Sequence, residues 1–517
     1  MAKSIYLINP ADSYPTYYGA EVLTHLGLSQ AAYMADLTMT TVAALIPDDF
    51  EITLCDEHIA PADFNTEAEV IAITGKTTQV PRMITLAQEF RKRGKIVLMG
   101  GPYVSLCPEQ MRPHCDILCR GESEEIASQM FSDILNDCWK SEYIGNKPDL
   151  TTSPIPRWDL YPNDYALSGA LQTARGCPFT CEFCDVIQYV GRKQRHKSNE
   201  QVIKELDLLY EYNYRVVFLA DDNLTAYRHR SKELLKALAE WNNDRVERVL
   251  FTTQLSIDTA QDEQILDLLS ESGPFDVFIG IETPNEESLL ATNKKQNLRG
   301  DLVQQVHSFF EHGVGITGGM IVGFDADTID IFERQYRFAM STSIPIFTLG
   351  MLVAPSATPL FDRLKEEGRL YETNGAGAAV DPWTSNIVPK LMSREQLFTG
   401  TKWLANRLYH PEAFTERVLG FLDKLQIPEH WQKNSHVHST KLKKAEIDAS
   451  KVIYSLTRLG EQEAKMLSTI FQALKKKPEA KMLTTAILFR YAQIRYMYQK
   501  MGIWESDQKN LVSLLSA

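Results

Sequence analysis

Cys177, Cys181 and Cys184 hold the densest chemistry in the chain, at CxxxCxxC spacing in LQTARGCPFTCEFC. Three thiolates on one tight loop can hold three irons of a [4Fe–4S] cube and leave the fourth iron without a protein ligand. Structural metal sites close their shell, whereas an open position is where a substrate or cofactor binds and reacts. A zinc site would want a fourth Cys or His, and His196 is the only local candidate. Phe183 before the last cysteine, and Val186 and Ile187 after it, would keep water from a cluster.

Other reactive side chains sit at the ends of apolar, strand-like runs. RVVFLADD ends in Asp221 and Asp222, a carboxylate pair able to act as acid and base or to bind an ammonium group. VLFTTQLS ends in Gln254 and Ser256, which suit ribose hydroxyls, and Asp258 follows. DVFIGIE ends in Glu282, ahead of Thr283 and Asn285; a buried carboxylate without a donor is costly, so this one needs a partner. Gly319 and Gly323 lie in GITGGMIVGF, and Pro355 in the turn after PIFTLGMLVAP. Behind the cysteine loop, Arg192, Lys193, Arg195, His196 and Lys197 form a basic patch, in which Arg195 or Lys193 suits an anion.

These ends need a scaffold. From residue 171 to 369, six strand-like runs starting with LQTAR alternate with helical stretches, which predicts a partial (β/α)6 barrel with its chemistry at the C-terminal strand ends. Residues 1–146 alternate in the same way and predict a Rossmann-like, doubly wound parallel sheet, so the fold class is α/β. Ligands of such sheets sit at the carboxyl ends of the strands, here Asn9-Pro10, Asp56-Glu57, Thr74-Gly75-Lys76-Thr77, Gly100-Gly101-Pro102 and Gly121-Glu122. Residues 147–170 read as a linker anchored by Trp158, Tyr161 and Tyr165. Residues 370–517 open with NGAGAAVD and then read as a mostly helical domain that closes the barrel mouth or builds the substrate pocket. His436 and His438 there read as a solvated loop, and the aromatic and Met-rich face of 489–504 as core or as the lining of a site for an apolar substrate.

The cysteine loop resembles the signature of radical S-adenosylmethionine (SAM) enzymes. The resemblance implies that SAM chelates the open iron and is cleaved there to methionine and a 5′-deoxyadenosyl radical. It assigns SAM contacts to Asp222, Gln254, Ser256, Glu282, Gly319, Gly323, Arg195 and Pro355, the last in a P-x-x-T-P-L-like turn. The first 146 residues resemble the cobalamin-binding domain that precedes many such barrels, with Thr74, Gly75, Thr77, Gly100, Gly101, Pro102, Gly121 and Glu122 around the corrin. DEHIAP resembles most of the DxHxxG motif whose His ligates cobalt, but Pro61 replaces the Gly and the segment follows the second strand. His58 therefore reads as a loop histidine, and the lower face of the corrin is expected without an imidazole, over a floor of Tyr and Pro from residues 11–19. The chain as a whole resembles the class B, cobalamin-dependent methylases, and its C-terminal region looks like that of the hopanoid C-2 methylases.

The resemblance implies C-methylation of an unactivated carbon. Its alternatives are a cyclisation or rearrangement without methyl transfer, or a barrel whose first domain binds no cobalamin. The implied partners are a small-molecule substrate, apolar if the 489–504 face lines its site, and an electron donor such as flavodoxin or ferredoxin. A net charge of −13 argues against a nucleic-acid face. No apolar run reaches about 18 residues, so no transmembrane segment is expected. Eight cysteines without disulfide-type spacing point to the reducing cytoplasm.

Overall fold

The computed structural model describes residues 3–371, 383–432 and 442–505. Residues 374–381, His436 and His438 lie outside the described residues. The first sheet holds β1 (Lys3–Asn9), β3 (Phe50–Asp56), β4 (Val70–Thr74), β5 (Ile96–Gly100), β6 (Ile117–Arg120) and β7 (Glu142–Ile144). All its pairings are parallel, in the order β3-β1-β4-β5-β6-β7. Ile5 to Ile8 and Val70 to Ile73 are buried throughout, as strands covered on both faces must be. The strand order reverses between β1 and β4, and a crevice opens beyond the strand ends at such a reversal.

Between β1 and β3 the chain makes an excursion that its sequence does not announce. Its strand β2 (Ala32–Met34) joins the second sheet, pairing in parallel with β8 (Ala166–Leu171) through Ala32–Ala166 and Met34–Ser168. That sheet continues through β11 (Val216–Leu219), β12 (Leu250–Leu255), β13 (Phe275–Glu282), β14 (Val314–Val322) and β15 (Ile346–Met351), a seven-stranded parallel half-barrel rather than a six-stranded one. The expected first strand, LQTAR, is displaced. The barrel strand begins at Ala166, inside the stretch expected as linker, and ends at Leu171. Its small residues read as loop in sequence, but they admit close neighbours: a Cβ on Gly169 would lie 3.0 Å from both Leu209 and Tyr214. Ala174–Arg175 is instead β9, a two-residue strand antiparallel to β10 (Arg195–His196). Of the three aromatic anchors, Trp158 and Tyr161 are buried and Tyr165 is exposed.

The C-terminal region is helical, with helices Arg394–Tyr409, Pro411–Lys424, Lys444–Ser455, Glu461–Leu474 and Lys481–Lys500. The last fills the open side of the half-barrel between its edge strands. Arg490 donates to the Tyr33 hydroxyl of β2 at 2.8 Å. Tyr498 meets the Tyr17 hydroxyl at 3.0 Å, and Tyr17 donates to the Leu349 carbonyl of β15 at 2.9 Å. Phe489, Tyr491, Met497 and Tyr498 are thereby core. Among the described residues all eight cysteines are free, and no helix is long and apolar enough to cross a membrane.

Candidate active site

The cysteine loop leaves β9 through Gly176, whose φ of +107° and a would-be Cβ 2.6 Å from the Lys193 carbonyl require glycine. Main-chain bonds fix the loop at both ends: Cys177 N donates to Gly191 O (3.2 Å) and Glu182 N to Thr292 O (3.0 Å). Arg363, on the helix Pro359–Glu366 after the proline turn, grips the Glu182 carboxylate at 2.6 and 3.1 Å. Leu360 N donates to the Glu182 carbonyl. Phe183 packs against Phe324, Leu352, Leu360 and Ile387. Among the described residues no three His, Cys, Asp or Glu side chains converge on a single metal ion. A cubane asks for something else, one thiolate per iron along a loop. Gln296 Nε2 lies 3.5 Å from Cys181 Sγ, a donor of the kind that tunes cluster potential.

The polar residues expected to contact SAM form a rim at the C-terminal strand ends, several with partners of their own. Asp222 accepts from Gly176 N at 2.7 Å, and burial raises its carboxyl above the usual range. Its neighbour Asp221 is wholly internal: it accepts from Thr173 N (2.7 Å), Ala174 N (3.0 Å) and the Thr173 hydroxyl, and burial pushes it to about 6. Ser256 Oγ accepts from Asn223 at 3.2 Å, while the Gln254 carbonyl takes Leu224 N and leaves the amide side chain half-buried. Gly319 faces Gly280 across β13 and β14, and a Cβ there would lie 2.9 Å from Phe278. Gly323 N donates to Asp327. The Pro355 carbonyl accepts from the Thr358 hydroxyl. Next to it, Ser385 and Asn386 of the SNIVPK segment bond the main chain of Leu352 and Ala354.

Lys294 supplies a donor to Glu282, its Nζ 2.7 Å from Oε1. Glu282 has φ of +63° at a register break after Gly280. A non-glycine residue in that conformation is a strain the fold must hold, and such strain gathers at functional sites. Burial opposes the lysine's charge, but Glu282 and the nearby Cys181 and Cys184 outweigh it and hold Lys294 firmly cationic. Sequence reading missed Lys294 and Gln296; the signal was NKKQN, twelve residues beyond Glu282 in the turn that returns to the cysteines.

A cavity of about 470 Å³ opens at the ends of β1, β4, β5 and β6. Thr74, Gly75, Gly100, Gly101, Pro102, Gly121 and Glu122 line it; Thr77 does not. Gly101 has φ of +99°, and a Cβ would come within 2.7 Å of Thr74 Oγ, so main chain forms this wall. Leu7, Ala72, Leu98, Met39, Val42, Met130 and Phe131 make a deep apolar lobe under the strand ends. The opposite wall belongs to the half-barrel: Ala170, Gln172, Arg175, Tyr189 and Lys197. Polar main chain at the rim with apolar depth suits a large ring carrying amide side chains and an aromatic tail, so these residues fit cobalamin.

Two of the expected cofactor contacts, Glu122 and Arg195, also hold each other. Glu122 accepts from Arg195 through both oxygens (2.6 and 2.9 Å) and from Arg175 at 2.6 Å, while Glu124 lies 2.7 Å from Arg175. The guanidinium of Arg195 is thus occupied, with the Pro148 and Val190 carbonyls as further acceptors. This buried knot ties the loop after β6 to the residue two before Cys177.

His58 lines the same cavity between Asp12 and Asp56, Nε2 at 3.1 Å from one and Nδ1 at 2.9 Å from the other. Each ring nitrogen faces a carboxylate, an arrangement that favours protonation of both over ligation of a metal. Burial lowers its basicity, but the two carboxylates prevail and raise the imidazole to about 10. An NMR titration is expected to show His58 charged until near pH 10 rather than 6.5. Because its folded value is raised, its contribution to stability is complete below about pH 6.5 and disappears as pH climbs towards 10. A His58 resonance titrating near pH 6.5 in the folded protein contradicts the arrangement.

Residues 171–339 match the family model of the radical SAM superfamily, and 358–501 a domain of unknown function, DUF4070. An uncharacterised methyltransferase of Synechocystis is 35% identical over 80% of this chain and 78% of its own. The chain belongs to the radical SAM superfamily, among its methyltransferases. The enzyme is also 31% identical to the hopanoid C-2 methylase of Rhodopseudomonas palustris, over 75% of this chain and 73% of that one. Its fold is that of the cobalamin-dependent SAM radical enzyme OxsB, solved with aqua-cobalamin and SAM (TM-score 0.60, 14% identity, 99% of this chain and 83% of that one).

Proposed function

We propose that the enzyme transfers a methyl group to an unactivated carbon of a small molecule, using a [4Fe–4S] cluster on Cys177, Cys181 and Cys184, SAM and cobalamin. The observation that carries this reading is the shared wall: Arg175 and Tyr189, which flank the cysteine loop, also line the cavity at the first sheet's strand ends. When bound, the cluster with SAM supplies a 5′-deoxyadenosyl radical and cobalamin supplies the methyl group.

The chain's own residues bind and shield. Asp222 keeps one carboxylate oxygen for the SAM ammonium while the other holds Gly176 N. Lys294 presents a cation for the SAM carboxylate and keeps Glu282 turned inward. Gly280 and Gly319 leave a flat patch of backbone for adenine. Thr74, Gly75, Gly100, Gly101, Pro102 and Gly121 receive the corrin, with the apolar lobe beneath for its tail. His58, held between Asp12 and Asp56, would stay engaged with those carboxylates rather than serve as a ligand when cobalamin is bound. Oxygen-sensitive radical chemistry and the free thiols support a reading of the reducing cytoplasm as its compartment.

The test supplies anaerobic enzyme, loaded with iron, sulfide and cobalamin, with methyl-deuterated SAM and a small-molecule extract of its source cells. Reduction is expected to release 5′-deoxyadenosine and to yield a product carrying the labelled methyl. Release of 5′-deoxyadenosine with no label in any product excludes methyl transfer and favours a rearrangement.

A further inference from the structure

We propose that the outer side of the cysteine loop, marked by Lys147, Arg192 and Lys193, is the docking surface of a small acidic one-electron carrier protein. The inference rests on the cluster reading above, since such a cluster is reduced from outside. The carrier gives one electron, the cluster passes from [4Fe–4S]²⁺ to [4Fe–4S]⁺, and no bond or proton moves.

The turn 190–193 rides directly on the loop. Gly191 O accepts from Cys177 N at 3.2 Å, and the next residue, Arg192, donates to the Pro178 carbonyl at 3.2 Å. Lys147 lies against the same turn: a Cβ on Gly191 would be 2.6 Å from its Nζ. Lys147, Arg192 and Lys193 are all exposed, and no carboxylate among the described residues pairs with any of them. Arg195, two residues on, is half-buried and held by Glu122, which shows the contrast: the inward cation serves the fold, the outward ones do not. Glu122 and Glu124 lie inside, against arginines. The exposed acids of the neighbouring stretches, Glu125 and Asp149, accept from Asn146 and from Thr151 N.

The rest of the molecule makes this patch selective. With a net charge of −13, the chain repels an acidic protein from most of its surface. Arg192 bonds Pro178, the residue after Cys177, and with Lys147 and Lys193 it inverts that field locally. Such focusing raises encounter rates about 10- to 1,000-fold at low salt and fades as salt rises. Charges on the rim of a docking surface act on the association rate and the choice of partner.

The experiment follows cluster bleaching after anaerobic stopped-flow mixing with flavodoxin hydroquinone, the probe carrier, and separately with titanium(III) citrate. For the native enzyme the flavodoxin rate is expected to fall steeply with ionic strength. The Lys147→Glu/Arg192→Glu variant is expected to lose about tenfold in that rate at low salt. It should keep its iron content, its bleaching by titanium(III) and its 5′-deoxyadenosine release with that reductant. A native rate indifferent to salt, or a variant as fast as the native enzyme, overturns the docking surface; the salt dependence needs no variant to fold. If the titanium-reduced native enzyme releases no 5′-deoxyadenosine, the radical reading itself falls, whatever the flavodoxin rates.

Discussion

Enzyme carrying Cys181→Ala, reconstituted anaerobically, is expected to hold no [4Fe–4S] cluster and to release no 5′-deoxyadenosine, while keeping its fold and its cobalamin. Cys181 is the most buried of the three thiols, at 8% exposure, and takes a hydrogen bond from Gln296. With only two thiolates a cubane lacks ligands for half its irons. The loop itself survives, because its position depends on main-chain bonds and on the Arg363–Glu182 grip, none of which involves the thiol. Iron counting and the EPR spectrum of the reduced protein measure the loss. A full complement of iron with undiminished 5′-deoxyadenosine in the variant refutes the cluster assignment. Cys119→Ala is the matched control: that thiol is equally buried but belongs to β6 and the cavity wall, and its loss should leave the iron untouched.

Arg490→Met is expected to lower the stability of the half-barrel by about 3–5 kcal/mol, the range for stranding one partner of a buried ion pair. Arg490 is 4% exposed and Asp276 7%. The guanidinium spends its donors on Asp276 (2.7 Å), the Thr317 hydroxyl and Tyr33 (2.8 Å). Removing it leaves the Asp276 carboxylate inside the lumen with only the Thr317 hydroxyl, at 3.3 Å. The urea midpoint of the first unfolding transition measures the loss. Adding Asp276→Leu to Arg490→Met should restore most of it, because the cost lies in the stranded charge rather than in the absent pair. A single variant as stable as the native chain would show that the last helix does not brace the lumen.

What could be foreseen follows from what each signal depends on. Strands buried on both faces write long apolar runs, so β1, β4, β5, β12, β13, β14 and β15 were legible. So were the reactive residues at their ends, because a parallel strand always presents the same end. β8 was misplaced because ALSGAL is small rather than greasy, chosen for the approach of Leu209 and Tyr214. β2 was invisible because three residues carry no period, and its pairing partner lies more than 130 residues away. At the site, motif spacing located the cysteines and the glycine-lined cavity. It could not tell a ligand from a brace: Arg195 and Glu122 both suit a cofactor by type, yet they hold each other. Nor could it supply the partner of Glu282, because Lys294 reaches it through a turn rather than along a helix or strand.

The three residues of β2 bear on how such a chain could be taken apart. The polypeptide leaves its first sheet, lays one strand along the edge of the second, and then returns to finish the first. The two halves are interlaced rather than strung in series. Cutting before residue 147 strips the half-barrel of an edge, and expressing the first half alone leaves Ala32–Met34 with unpaired main chain facing solvent, an invitation to aggregate. The interlacing also acts as a ruler: β2 is hydrogen-bonded to the half-barrel edge and joined by the chain to β1 and β3 of the first sheet, which ties the cavity to the half-barrel at more than the one connection a hinge would have.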